Sequence, residues 1–302
     1  MPSLAKSRLA PLLGQRVPLR GPARMLFSSY ARTRYQPQRS ATRVTTAAGD
    51  VFDADLSSTL EWQLWSFGRY EPHFAELFSL LVRPGDRCID VGANVGVHTV
   101  RLAKLAGRDG EVIAIEPEPE VMQRAQRNVA LNGLANVRIV NAAASDRPGE
   151  MCLYRPYPWD TNRARASLLH HPYLTGVTTT VPVVTVDDVC AGGRVALIKV
   201  DVEGYEAAVI LGAAKTITRD APSVIFEYAP ELLDDAAKSP FGWLVERGYA
   251  MFAVRAIRHR VTGRVRLALD RVGEQTQEGG NFLAISSANA ASISSWPAGR
   301  RQ

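Results

Sequence analysis

Between residues 87 and 228 the chain alternates short apolar runs with amphipathic stretches, and few folds accommodate that pattern. Runs at 87–91, 111–116, 137–141, 196–200 and 223–228 read as strands, while 97–106, 119–132 and 206–218 carry helical periodicity. Strands without a polar face cannot lie open to water, so helices must cover both faces of a mostly parallel α/β sheet. Three further runs, 249–257, 264–269 and 282–286, follow without intervening helices. The first two, joined across Thr262 and Gly263, have the spacing of an antiparallel hairpin. Ahead of the alternation lies an aromatic helical stretch that includes Trp62, Trp65, Phe74 and Phe78 and ends at the turn signal Pro84-Gly85-Asp86. The expected organisation is an extension over 1–49, a helical segment over 50–85, an α/β domain over 86–290 and a tail over 291–302. No internal repeat is visible.

The 302 residues carry a formal net charge of +6, but the charge is unevenly placed. Residues 1–49 hold nine Lys and Arg and no acid, leaving 27 basic residues against all 30 acidic ones from Asp50 onward. The body is mildly acidic, which argues against a nucleic-acid partner. A non-catalytic nucleic-acid-binding protein would have to use the extension alone. Pro11, Pro18, Pro22 and Pro37 interrupt any long helix there, and the composition predicts disorder. The same Arg-rich, acid-free character would suit an organellar targeting segment; without one, a cytoplasmic location is expected. No apolar run reaches the ~18 residues that cross a bilayer, so no transmembrane segment is expected. Cys88, Cys152 and Cys190 are distant and form no CxxC pair, which supports neither a disulfide framework nor a zinc site.

Three acid-bearing strand ends carry the chemistry. In the first, Cys88-Ile89-Asp90-Val91-Gly92-Ala93-Asn94-Val95-Gly96, a strand ends in an acid and passes through a glycine turn into a helix. Gly92 and Gly96 allow the backbone close to a ligand at the carboxyl edge of the sheet, and Asp90 can accept from its ammonium or hydroxyl groups. Glu116, 26 residues after Asp90, ends the next strand where a carboxylate accepts from ribose hydroxyls. A dinucleotide turn requires glycine where Asn94 stands, which disfavours the alternative of an NAD-type oxidoreductase. The third is Lys199-Val200-Asp201-Val202-Glu203, whose charges alternate along a strand exit and point to one side. Apolar strands rarely carry three charges without a ligand or one another to meet.

Taken in order, Asp90-Val-Gly-Ala-Asn-Val-Gly96, Ile115-Glu-Pro117, the run 141–146 with Gly149, Val186-Asp187-Asp188, the run 199–206, Leu211-Gly212-Ala213 and a strand bearing Glu227 resemble the FkbM family of S-adenosylmethionine-dependent methyltransferases. The resemblance covers about residues 70–286 and implies a class I, Rossmann-like methyltransferase domain over 86–290. It further implies O-methylation of a hydroxyl on a sugar, glycan or other natural product. By position, Asp90, Gly92, Asn94 and Gly96 fall in the cofactor loop, Glu116 on the ribose, and Asn141 or Ala142 near the adenine.

Methyl transfer is an in-line displacement, so alignment of the acceptor oxygen dominates and its proton must also be lost. Asp201, with Glu203 as alternate, is expected as the base, and Lys199 and Glu227 as contacts for the acceptor. A Lys199–Asp201 pair would lower the basicity of Asp201. No closer-spaced set of metal ligands exists than Asp201, Glu203 and Glu227, and no metal is expected. His98 is expected to serve a helix face. The polar, aromatic connection 154–171 is expected to shape specificity or to be simply mobile.

Overall fold

The computed structural model describes residues 41–157, 166–169, 174–230, 239–259, 265–273, 276, 278–290 and 293. A hairpin of β1 (Ala41–Thr45) and β2 (Val51–Asp55) leads into helices α1 (Thr59–Phe67) and α2 (Pro72–Leu81). The alternation then runs β3 (Arg87–Val91), α3 (Val97–Ala106), β4 (Glu111–Ile115), α4 (Pro119–Leu131) and β5 (Val137–Val140). Strands β6 (Ala143–Ala144), β7 (Gly149–Pro156) and β8 (Leu174–Val184) form a separate small sheet. Next come α5 (Val186–Val189), β9 (Val195–Val200), α6 (Glu206–Leu211), α7 (Ala214–Asp220) and β10 (Ser223–Tyr228). The order closes with α8 (Pro240–Val245), β11 (Tyr249–Arg258), β12 (Val265–Val272) and β13 (Gly280–Ser286).

The main sheet has the order β12-β11-β13-β10-β9-β3-β4-β5. Its five strands from β10 to β5 are parallel, and β13, β11 and β12 extend it antiparallel. The expected fold is therefore present, with the expected hairpin pairing of β11 and β12; Thr262 and Gly263 lie outside the described residues. Alternation along the strands divides the core between the two faces. Ile89, Val91, Ile198 and Val200 join a cluster with Val209, Ile217 and Phe241, whereas Cys88 and Leu197 join Phe78, Leu81 and Leu102 of α2 and α3. Asp90 and Lys199 share the second face by the same period, a placement that decides their roles.

Three expectations change. The helical stretch before residue 84 is two helices, because Gly68 at φ 64° caps α1 by donating to the Leu64 carbonyl. The helix expected over 206–218 also divides, at Gly212, where a Cβ would lie 1.9 Å from the Ser145 carbonyl oxygen and the chain is pressed against the small sheet. The boundary at 49 falls inside a hairpin, since β1 pairs with β2 and buries Val44 against Phe52, Trp62 and Trp65. Two amides one helical turn apart, Asn128 on α4 and Asn132 at its C-terminal cap, then tie β2 to the domain. Asn128 accepts from the Asp53 amide at 2.9 Å, and Asn132 accepts from the Val51 amide at 3.0 Å and donates to its carbonyl at 2.7 Å. A chain starting at residue 50 is accordingly expected to melt at least ~5 °C below one starting at residue 41, because losing Val44 alone removes about 1.5–3 kcal/mol of burial. Equal melting temperatures in calorimetry would show that β1 contributes nothing.

Candidate active site

A cavity of about 360 Å³ opens beyond the carboxyl ends of β3, β4 and β9. There the strand order reverses, because the chain steps outward from β3 to β4 and β5 and returns to β9 on the other side of β3. Gly92, Asn94, Glu116, Ala142, Lys199, Asp201, Glu203 and Glu227 all line it. The opposite wall comes from Thr59, Leu60 and Gln63 of α1 and from Tyr70 and Glu71, so the segment 50–85 is part of the site rather than an appendage. Ala166 and Leu168 of the connection between β7 and β8 also reach the wall, and Ser167 donates to the Glu203 carbonyl at 2.9 Å. Trp159, Asn162, Arg163, Arg165, His170 and His171 of that connection lie outside the described residues.

Asn94 adopts φ 50°, the left-handed region that asparagine tolerates better than most residues, and its amide donates to Glu116 Oε2 at 2.9 Å. Glu116 Oε1 accepts from the Glu118 amide at 3.0 Å. Burial pushes the Glu116 carboxyl up to about 7, the two amide bonds only partly opposing it. Among the described residues no cation pairs with this carboxylate, and hydroxyls are donors suited to it.

Several expected contacts are displaced. Asp90 is fully buried beneath the glycine turn and accepts from Thr99 Oγ1 of α3 at 2.6 Å, off the cavity wall. Strand alternation sends it to the α3 face. Gly96, at φ 85°, begins α3 and likewise misses the wall. Asn141 turns back to donate to the carbonyls of Glu116 and Pro117 at 2.9 and 3.1 Å, bracing the turn that carries Glu116. Gly92 lines the cavity, but a Cβ there would fall 1.8 Å from the Asp201 carbonyl oxygen, with φ at 75°. The glycine is required for the β3 loop to pass the β9 exit, more than for space around a ligand. Gly92→Val is thus expected to abolish cofactor binding and also to lower the melting temperature by ~5 °C or more. A native melting curve with normal binding in calorimetry would contradict that reading.

The acidic end of the cavity centres on Lys199. Its Nζ lies 3.4 Å from Asp90 Oδ1 and 3.3 Å from Asp201 Oδ2. Burial would lower the Lys199 ammonium, but the charges of Asp201, Asp90 and Glu71 outweigh it and hold it above its ordinary range. Burial likewise works to raise Asp201, yet the Lys199 ammonium and a hydrogen bond with Glu227 keep it below its ordinary value. Glu227 moves the opposite way, pushed up to about 9 by burial and by the charges of Asp201 and Glu203. The two carboxyls are pushed apart, and Glu227 is the one of the pair that takes up a proton first. Asp201 is therefore a weaker base than its strand position implied, and Lys199 is committed to its two carboxylates. Glu203 sits in the left-handed region at φ 56°, on a turn fastened by Glu206, which accepts from the Val202 and Gly204 amides at 3.0 and 3.2 Å. Among the described residues no group of three or more His, Cys, Asp or Glu is arranged to hold a metal ion, and no helix is long and apolar enough to cross a membrane.

The family model described as the methyltransferase FkbM domain matches residues 90–251, more than half of the chain, and spans every strand end just described from β3 to β10. The chain belongs to the FkbM methyltransferase family. Curated relatives match over shorter stretches. The protein-L-isoaspartate O-methyltransferase of Methanococcus aeolicus is 31% identical over 62 residues, 20% of this chain and 29% of that protein. The 23S rRNA (uracil(1939)-C(5))-methyltransferase RlmD of Alkalilimnicola ehrlichii is 37% identical over 73 residues, 23% of this chain and 16% of that protein. Among solved structures, the FkbM methyltransferase of Methylobacillus flagellatus is 16% identical and covers 70% of this chain and 50% of its own, with a TM-score of 0.42. Residues 90–251 are thus a methyltransferase FkbM domain on a class I, Rossmann-like sheet, a kind of domain that uses S-adenosylmethionine, and the chain spans under a third of the length of either curated relative.

Two side chains on the wall were assigned no part in the chemistry from the sequence. Glu71 Oε2 lies 3.1 Å from His98 Nε2 across the cavity edge. They stand 27 positions apart, Glu71 just before α2 and His98 in the first turn of α3, so neither periodicity nor spacing signals the pair.

Proposed function

We propose that this FkbM protein O-methylates a hydroxyl of a sugar, glycan or other natural product. The observation that carries this reading is the acceptor end of the cavity, where Asp201, Glu203 and Glu227 stand together beside Glu71. Carboxylates are acceptors only, and each has room for more than one donor, which matches a molecule presenting several hydroxyls. Glu227, whose carboxyl is raised by burial and by its acidic neighbours, can when protonated also donate to an ether or ring oxygen. In this reading Glu116 holds the ribose hydroxyls, Ala142 lies at the base end, and the loop from Gly92 to Asn94 passes the methionine portion. The cofactor supplies an electrophilic methyl group. Asp201 and Glu203 orient the acceptor hydroxyl, and Lys199 positions Asp201 rather than touching the acceptor.

The test is transfer of labelled methyl from S-adenosylmethionine across a library of hydroxylated acceptors, with RNA and isoaspartyl peptides included. Label on a polyol or glycan hydroxyl is the expected result. Label confined to RNA or to a carboxyl group would replace the reading.

A further inference from the structure

We propose that His98 takes the proton from the acceptor hydroxyl, with Glu71 as the group that positions its ring; this rests on the O-methylation reading above. Four observations converge on the pair. First, His98 and Glu71 line the cofactor cavity together with Gly92 and Asn94, and they also line a second cavity of about 190 Å³ bounded by Thr46, Gly68, Ala75 and Arg101. They form the partition between two adjoining spaces, where an acceptor larger than its reacting hydroxyl has room on both sides.

Second, the ring is fixed. Glu71 Oε2 lies 3.1 Å from Nε2, and Tyr70, Phe74 and Phe78 surround the imidazole with centroids 5.9, 5.4 and 5.4 Å away. A carboxylate accepts, so the partnered nitrogen carries hydrogen and Nδ1 keeps the lone pair that can accept a proton. Third, Glu71 reaches this position from a strained backbone, at φ 39° and ψ 62° immediately before Pro72. A left-handed residue ahead of proline is unfavourable twice over, and such strain persists where the surroundings enforce one geometry. Fourth, Asp201, the base the strand pattern favours, is tied to Lys199 with 3.3 Å between Oδ2 and Nζ, and that charge lowers its basicity.

As the acceptor oxygen forms its bond to the methyl carbon, its O–H bond breaks and the proton passes to Nδ1. The electron pair of the cleaved carbon–sulfur bond stays on sulfur, and the imidazolium later releases its proton to water.

The decisive test needs no acceptor. S-adenosylmethionine carrying a ¹³C-methyl group is bound to the full chain, and isotope-filtered NMR searches for a nuclear Overhauser effect between that methyl and the His98 ring protons, assigned through His98→Asn. A cross-peak is expected. A bound methyl that contacts Val202 but not His98 overturns the proposal, whereas failure of the cofactor to bind at all overturns the reading beneath it. With a labelled acceptor in hand, His98→Asn should lower kcat by ~10²- to 10⁴-fold with cofactor affinity retained. Glu71→Gln, which keeps the ring, should lower kcat ~10-fold with KM little changed. An unchanged kcat in Glu71→Gln would remove the positioning role.

Discussion

Replacing Glu116 by alanine is expected to weaken S-adenosylmethionine at least ~10-fold, because hydrogen bonds to a charged group are worth about 1.5–3 kcal/mol each. Two further bonds disappear with the carboxylate, those from the Asn94 and Glu118 amides, so the glycine turn also loosens. The pH dependence sharpens the test. Burial sets the empty carboxyl at about 7, whereas hydroxyl donors favour its ionised form, so binding must release a proton when the group starts protonated. Affinity in the wild type should therefore fall as the pH drops below about 7 and level off above it, and Glu116→Ala should lose that dependence. Calorimetry at several pH values that shows equal affinity for both proteins would mean the nucleoside lies elsewhere.

Lys199→Met should destabilise the fold by ~3–5 kcal/mol, the usual cost of leaving a buried charge without its partner. The charge at issue is Asp90, fully buried, whose Oδ1 has no hydrogen-bond donor among the described residues and would lose its ion pair, while Oδ2 keeps the bond from Thr99. Chemical denaturation should show most of the loss recovered in the double variant Lys199→Met with Asp90→Asn, which removes both charges. Loss below ~1 kcal/mol in the single variant would show that water already reaches Asp90. The acidic wall changes as well, since Asp201 loses the cation that keeps it ionised.

Much of this architecture is legible in the residue order. Strands β3 and β10 and helix α3 begin and end where the apolar periodicity does, because each is bounded by a residue type that cannot continue it. The strand-end acids Glu116, Asp201 and Glu227 reach the cavity because strand ends in a parallel sheet converge on one edge. Asp90 escaped for a reason contained in the same run. Ile89 and Val91 face one cluster and Cys88 the other, so the acid at position 90 must share the Cys88 face and meet α3. What no local pattern shows is contact across distance. The Glu71–His98 pair, the collision that makes Gly92 obligatory and the press of Gly212 against Ser145 all join segments far apart in the chain. The small sheet of β6, β7 and β8 lies outside the expected strands because β6 is two residues long and the alternation in the others is confined to Met151 and Leu153 and to Val181 and Val183.

Asn128 has a consequence for communication within the molecule. One end of its amide accepts from Asp53 in the hairpin, and the other donates to the Val95 carbonyl at 2.8 Å, directly behind the glycine turn. Whatever steadies that turn also steadies the hairpin, since one planar group holds both. Nucleoside occupancy should thus be written into the solvent exchange of the Asp53 amide, making the hairpin, which does not line the cofactor cavity, a gauge of whether that cavity is filled.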